Sequence, residues 1–284
     1  MSESGIDNNI IDGKKIASAI RAEIKDKLSR MDGKPFLATI LIGDDPASQS
    51  YVSYKEKACH EVGMANVIYR LDNSTTQKEL INKINELNED NSVNGILLQL
   101  PLPDHFNENE ALLKISPDKD VDGLHYINVG RLHAGFDGFV PCTPFGIMHM
   151  LKRSNVQLKG ADAVVVGRSN LVGKPIARLL EMEHATVTIC HSRTKDLGAI
   201  TKRADIIIAA VGRAAIIKKD MVKEGAVVID VGTNRVDGKL VGDVDFENVK
   251  EVAGLITPVP GGVGPMTITM LLWNTMKAFK LQNS

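Results

Sequence analysis

The stretch ADAVVVGRSNLVGKPIARLLEME, residues 161–183, decides the fold. ADAVVVG (161–167) is a short apolar run closed by glycine and reads as a buried strand. GKPIARLLEME (173–183) carries apolar residues at helical spacing and reads as a helix. A short loop joins the two. Three further strands follow: TVTIC (186–190), DIIIAAVG (205–212) and GAVVIDVG (225–232). Upstream the same alternation holds. Ile16, Ile20, Ile24 and Leu28 recur every four residues along one helix face. FLATILIG (36–43) is a strand, and Asp45-Pro46 opens a helix that Gly63 ends. NVIYRL (66–71) is a second strand, Leu80, Ile81, Ile84 and Leu87 mark a helix, and GILLQL (95–100) is a third strand. Strands separated by helices pair in parallel through right-handed crossovers, so the chain is α/β.

The chain has 284 residues, enough for two domains. Residues 117–143 are rich in Asp, Gly and Pro, and the main boundary falls near the end of that segment. PMTITMLLWNTMKAFK (265–280) is a final amphipathic helix opened by Pro265. With 43% hydrophobic and 24% charged residues the chain has the composition of a soluble globular protein. A formal net charge of −1 gives no electrostatic draw to nucleic acid or to an acidic membrane. Cys59, Cys142 and Cys190 form no CxxC pair, which argues against a zinc site or disulfide framework and suits a reducing compartment. The seven histidines show no metal-ligand spacing, so no metal is expected. The start, MSESGIDNNI, lacks the marks of a secretory or transit signal, and no apolar run is long enough to span a membrane. A cytoplasmic location is the expectation.

In open parallel sheets ligands bind beyond the carboxyl ends of the strands. Gly167-Arg168-Ser169-Asn170-Leu171-Val172-Gly173 sits at such an end and opens a helix, whose free amides and dipole favour a pyrophosphate. The loop departs from GxGxxG, with Ser169 at the second glycine's place and the next glycine one position late. TVTIC runs into His191-Ser192-Arg193-Thr194-Lys195, with no carboxylate to hold ribose hydroxyls. Hydroxyls and cations, with Arg168, suit a 2′-phosphate and favour NADP over NAD. A plain β–α turn and a solvated loop are the structural alternatives.

Tyr51 and Lys55 lie four residues apart on one helix face, an aromatic ring beside an amine. Gln99 interrupts the apolar run GILLQL, either as a substrate-orienting amide or as a satisfied structural one. Asp120-Val-Asp122-Gly123 offers carboxylates for a heterocycle, or an Asp-Gly turn. Pro258–Pro265 is a stiff glycine-bearing loop that brings backbone close to a ligand or simply joins elements.

Taken together, residues 51–58 (YVSYKEKA), 95–103 (GILLQLPLP), 119–123 (KDVDG), 167–175 and 260–267 (PGGVGPMT) resemble one family. The chain is similar to the bifunctional methylenetetrahydrofolate dehydrogenase/methenyltetrahydrofolate cyclohydrolases, with these segments in the family's order across nearly the whole chain. The resemblance implies two domains with parallel sheets. A folate-binding catalytic domain would cover 1–142 and be completed by helix 265–284, and a Rossmann-like NADP-binding domain would cover 143–264. It implies NADP-dependent oxidation of 5,10-methylenetetrahydrofolate and hydrolysis of the product to 10-formyltetrahydrofolate, in one-carbon metabolism, by a homodimer. Tyr51 would stack on the folate, Lys55 would transfer the hydrolytic proton, Gln99 would position Lys55, and Asp122 would hold the pterin. Leu98 and Leu100 would join the folate cleft, and Pro260, Gly261, Gly262, Val263 and Gly264 would close over it. Gly167, Arg168, Ser169, Ser192 and Thr233 would line the NADP site. Two other readings remain open on the residues alone: a two-domain NADP dehydrogenase for a small hydroxy or keto acid, and a nucleotide-binding regulator without turnover.

Overall fold

The computed structural model describes residues 6–283, so the first residues of MSESGIDNNI lie outside the described residues. The chain divides into two compact units, one of residues up to Ala19 with Thr143–Thr267, the other of Ile20–Cys142 with the segment from Ile268 onward. The α/β class with parallel sheets read from the sequence holds in both.

The second of these units is built on a three-stranded parallel sheet: β3 (Phe36–Ile42), β4 (Ala65–Leu71) and β5 (Gly95–Leu98), in the order β4-β3-β5. Helices α2 (Pro46–Val62) and α3 (Gln77–Glu89) are its crossovers. Each starts where its sequence dictates. Asp45 accepts from Ser48 N at 2.7 Å ahead of Pro46, and Thr76 with Glu79 forms a capping box. Gly63 ends α2 in the left-handed region at φ 81°. Ala38, Ile40 and Ile42 of β3 point to one face and pack with Leu80, Ile84 and Leu87 of α3.

The first unit holds a seven-stranded sheet. Its main strands are β6 (Asp162–Val166), β7 (Thr186–Cys190), β8 (Ile206–Ala209), β9 (Val227–Asp230) and β12 (Leu255–Ile256). They run parallel in the order β12-β9-β8-β6-β7, and α7 (Gly173–Met182) follows β6. Val164, Val166, Ile207, Val228 and Ile256 form its core. A hairpin of β10 (Asn234–Val236) and β11 (Lys239–Val241) stands apart from this sheet.

One difference from the sequence reading concerns the amino-terminal residues. Strands β1 (Ile6–Asp7) and β2 (Ile10–Ile11) extend the seven-stranded sheet, with Ile10 pairing Ile256 in parallel. The described residues from Ile6 to Ala19 group with the unit that holds the seven-stranded sheet. A two-residue strand has no periodicity to read, and its partner lies some 246 positions away. The final helix α10 (Val263–Gln282) begins two residues before Pro265, and its part from Ile268 onward belongs with the three-stranded unit.

Candidate active site

Lys55 lies on α2, one turn beyond Tyr51, whose ring is exposed. Further along the same helix Val52, Ala58, Cys59 and Val62 are buried, which anchors the segment that carries Tyr51 and Lys55. Gln99 follows the buried Leu98 at the carboxyl end of β5, and its amide still bonds Ile40 O at 2.9 Å, prolonging the ladder by one residue. Lys55 Nζ donates to Gln99 Oε1 at 2.9 Å. Gln99 Nε2 donates in turn to the carbonyl of half-buried Leu100 at 2.6 Å. That second bond fixes the orientation of the amide, so the group presented to the amine is a pure acceptor. Gln99 is thus both satisfied and aimed, and the two readings of it converge.

Asp122 acts on Lys55 from a different segment. Burial lowers the lysine's pKa, while the Asp122 carboxylate opposes that shift. The KDVDG segment divides its labour. Lys119 Nζ donates to the carbonyls of Leu87, Asn88 and Asp90 at 3.0, 2.8 and 2.7 Å and so caps the end of α3. Asp120 is buried and accepts from Leu124 N, His125 N and Asn128 Nδ2 at 3.1, 2.9 and 2.9 Å. Gly123, at φ 72°, closes the turn with its amide on Asp120 O. A Cβ there would come within 2.7 Å of the Val140 and Pro141 backbone. The Asp-Gly turn exists, and Asp120 is the acid that holds it.

Cys142 is a neighbour that sequence reasoning missed. It is buried, its thiol lies 3.4 Å from Val121 O, and burial together with Asp122 raises its pKa well above the ordinary thiol value. Asn274 of α10 donates to Val121 O and Val140 O at 2.9 and 3.0 Å, clamping the backbone on both sides of Gly123. A lone cysteine and an asparagine within an apolar helix carry no signal of this in sequence.

In the other unit, Gly167 ends β6 at φ 134°, and a Cβ there would meet Ala210 O at 2.2 Å. A Cβ on Gly173 would meet Gly167 O at 2.3 Å, so this glycine supplies the close helix–strand packing despite its late position. The helix start differs from expectation in one respect. Ser169 Oγ accepts from Val172 N and Gly173 N at 3.1 and 3.3 Å, and Ser169 O from Lys174 N at 3.0 Å. Those three amides are engaged within the loop, because a serine hydroxyl caps a helix start as readily as an anion does. Arg168, Ser169, Asn170 and Leu171 are exposed above it. After β7, His191 and Thr194 fold the chain back on itself: His191 N reaches Thr194 Oγ1 at 2.8 Å, and Arg193 N reaches His191 Nδ1 at 3.1 Å. Ser192 and Arg193 stay exposed at this turn, and Thr233 is exposed after β9. A cradle that two glycines keep clear of side chains, with hydroxyl and guanidinium groups at the neighbouring strand's end, fits a phosphorylated dinucleotide.

Pro260–Gly264 lies in this same unit up to the start of α10. Gly261 O accepts from Lys14 N at 3.1 Å, and a Cβ on Gly262 would meet Pro258 O at 2.6 Å. Pro260 and Gly264 are exposed, and Val263 is buried.

Residues 11–122 match the model of the tetrahydrofolate dehydrogenase/cyclohydrolase catalytic domain, and residues 141–283 match that of the family's NAD(P)-binding domain. The chain belongs to this family. It is 57% identical to the bifunctional protein FolD of Halalkalibacterium halodurans over 274 residues, covering 95% of this chain and 98% of that one. Among solved structures, the bifunctional FolD enzyme of Campylobacter jejuni superposes with a TM-score of 0.94 at 52% identity, over 96% of this chain and 98% of the other. The Trypanosoma brucei dehydrogenase-cyclohydrolase, solved with NADP cofactor and inhibitor, gives a TM-score of 0.91 at 41% identity, over 96% and 97% of the two chains. The family membership expected from the motifs is therefore established.

Proposed function

We propose that this protein oxidises 5,10-methylenetetrahydrofolate to the 5,10-methenyl form with NADP and hydrolyses that product to 10-formyltetrahydrofolate. The observation that carries the reading is the Lys55–Gln99 pair, an amine with lowered pKa bonded at 2.9 Å to an oriented amide. NADP, when bound, accepts the hydride. The rest of that step needs the substrate carbon to be positioned, since the flanking folate nitrogens stabilise the developing cation. Exposed Tyr51 offers a face for the flat ring, and the carboxylate of Asp122 can take hydrogen bonds from it.

Hydrolysis adds a requirement, because attacking water must lose a proton. Burial shifts Lys55 toward the neutral amine, which can take that proton, while Asp122 limits the shift and steadies the ammonium that forms. Gln99 Oε1 accepts from the amine in either protonation state, so it holds Nζ through the cycle. The preference for NADP rests on Arg168, Ser192 and Arg193, and on the lack of a carboxylate after β7. The folate-closing role of residues 260–264, the domain assignment of the two activities, a homodimer and a cytoplasmic location are parts of the same proposal. Among the described residues no helix is long and apolar enough to cross a membrane.

The test follows reduced cofactor and methenyl product together, for the parent and for Lys55→Met, with NADP⁺ or NAD⁺. The parent is expected to convert methylenetetrahydrofolate with NADP⁺ in preference to NAD⁺. Lys55→Met is expected to lose hydrolysis by about 10²–10⁴-fold and to accumulate the methenyl compound. Hydrolysis by the variant well above the spontaneous rate removes Lys55 from the mechanism.

A further inference from the structure

Two aspartates outside every site so far described are fully buried in the seven-stranded unit. Asp230, the last residue of β9, is 2% exposed, and Asp243, beyond the β10–β11 hairpin, is 0% exposed. Among the described residues neither has a cation as partner. Asp230 accepts from Gly232 N, Asp243 N and Val244 N at 2.9, 2.8 and 2.9 Å. Asp243 accepts from Val211 N, Gly212 N and Arg213 N at 2.7, 2.9 and 2.8 Å, and from Asn234 Nδ2 at 2.9 Å. Two glycines make room for them. A Cβ on Gly232 would meet Asp243 Oδ1 at 2.3 Å, and one on Gly242 would meet Asp230 Oδ2 at 1.8 Å.

The placement of this network gives it a function. Residues 211–213 follow β8, and residues 232–234 follow β9, both at the carboxyl ends of parallel strands. Ala210, just before the held segment, is the residue that Gly167 approaches most closely. In the strand order β9-β8-β6-β7, β7 and its Ser192-Arg193 turn lie on one side of β6, and β8 and β9 lie on the other. A dinucleotide whose pyrophosphate crosses the end of β6 and whose adenosine phosphate lies at β7 must send its nicotinamide half over β8 and β9.

We propose that Asp243, seated by Asp230, is the positioning residue for the nicotinamide half of the dinucleotide. It draws the two strand-end loops together, through the backbone amides of residues 211–213 on one side and the Asn234 side-chain amide on the other, and so fixes the surface on which that half rests, Thr233 included. The proposal depends on the NADP reading above, and the experiment separates the two. Binding of NADP⁺ and of adenosine 2′,5′-bisphosphate, which lacks the nicotinamide half, is measured by calorimetry on the parent, Asp243→Asn and Asn234→Ala, with a melting temperature for each. Asp243→Asn puts an amide donor against backbone amides. It is expected to weaken NADP⁺ binding at least tenfold while changing the bisphosphate affinity less than threefold. Asn234→Ala removes a single side-chain donor and tests the same link if Asp243→Asn fails to fold, with an expected two- to fivefold loss for NADP⁺ alone. Equal losses for both ligands, or none for either, overturn the positioning role. Failure of the parent to bind NADP⁺ overturns the cofactor reading instead.

Discussion

Replacing Gln99 with glutamate tests the lysine's protonation state directly. The two side chains are nearly isosteric, and the change places a negative charge 2.9 Å from Lys55 Nζ, where the amide oxygen now sits. Two unit charges at that separation attract by about 6 kcal/mol at an effective dielectric constant of ~20. Lys55 is only half-buried, so solvent screening is allowed for by taking about half of that. Roughly 3 kcal/mol still favours the ammonium form by about a hundredfold. Burial and the new carboxylate then act in opposite directions, and the balance moves toward the ammonium form. The fraction of neutral lysine falls about a hundredfold. A carboxylate also cannot donate to Leu100 O, so the 2.6 Å bond that orients residue 99 is lost.

The expected result is a fall of about 100-fold in methenyltetrahydrofolate hydrolysis at pH 7, with the pH–rate profile moved toward alkali. Dehydrogenation should fall less, because hydride transfer takes no proton to Lys55. Gln99→Met is the control: it removes the acceptor without adding charge, so it should slow hydrolysis without the alkaline displacement. If Gln99→Glu hydrolyses within about threefold of the parent on an unmoved pH profile, Lys55 is not the titrating base, and the argument from its burial fails.

Arg168→Ala should raise the KM for NADP⁺ by about ten- to a hundredfold, the loss of one charged hydrogen bond, and leave that for NAD⁺ nearly unchanged; a parallel change in both would place Arg168 away from the 2′-phosphate. Stability should rise on mild acidification. Burial pushes the carboxyls of Asp120 and Asp230 up to about 6, so the folded chain binds those protons more tightly than the unfolded chain. That contribution is complete below pH ~4 and lost as pH rises through ~6. The desolvated His125 is held below its ordinary value and works in the opposite sense, losing stability as pH falls through ~6.5. Two carboxyls against one imidazole give a net gain between pH ~7.5 and ~5, seen as a melting temperature higher by several degrees. A steady fall in melting temperature across that range contradicts the account.

Much of this was legible in the chain itself, for physical reasons that differ by residue. The long strands and helices declared themselves through period and caps, as at Asp45-Pro46 and Gly63. Gln99 was visible because a polar side chain in a buried strand must be satisfied. The dinucleotide turn was visible as strand, glycine and helix. Lys55 was not visible from spacing alone, since an exposed lysine on a helix looks the same, and only the surrounding motifs singled it out. Asp120 and Asp122 share one side-chain chemistry two positions apart. Nothing in sequence says which of them seals the turn and which faces the lysine. Cys142, Asn274, Asp230 and Asp243 were illegible because their partners lie on other segments. Asn274 lies 153 positions from Val121.

The two units share one construction at the ends of their sheets. Beside β5, buried Asp120 gathers the amides of Leu124 and His125 and fixes the turn that carries Asp122. Beyond β8 and β9, buried Asp243 gathers those of Val211, Gly212 and Arg213, and Asp230 holds Asp243 itself by its backbone amide. A carboxylate suits this task because its two oxygens accept several amides at once, which neither a neutral amide nor a hydroxyl can match. Glycines at 123, 232 and 242 keep the approach open, since a side chain at any of them would collide with backbone or carboxylate. The cost is burial of charge, expressed in the raised pKa values of Asp120 and Asp230. Apolar packing at those positions would spare that cost but would leave loop amides without acceptors. The acids therefore trade some folded stability at neutral pH for loops held in one conformation, and such loops lie where parallel sheets bind their ligands.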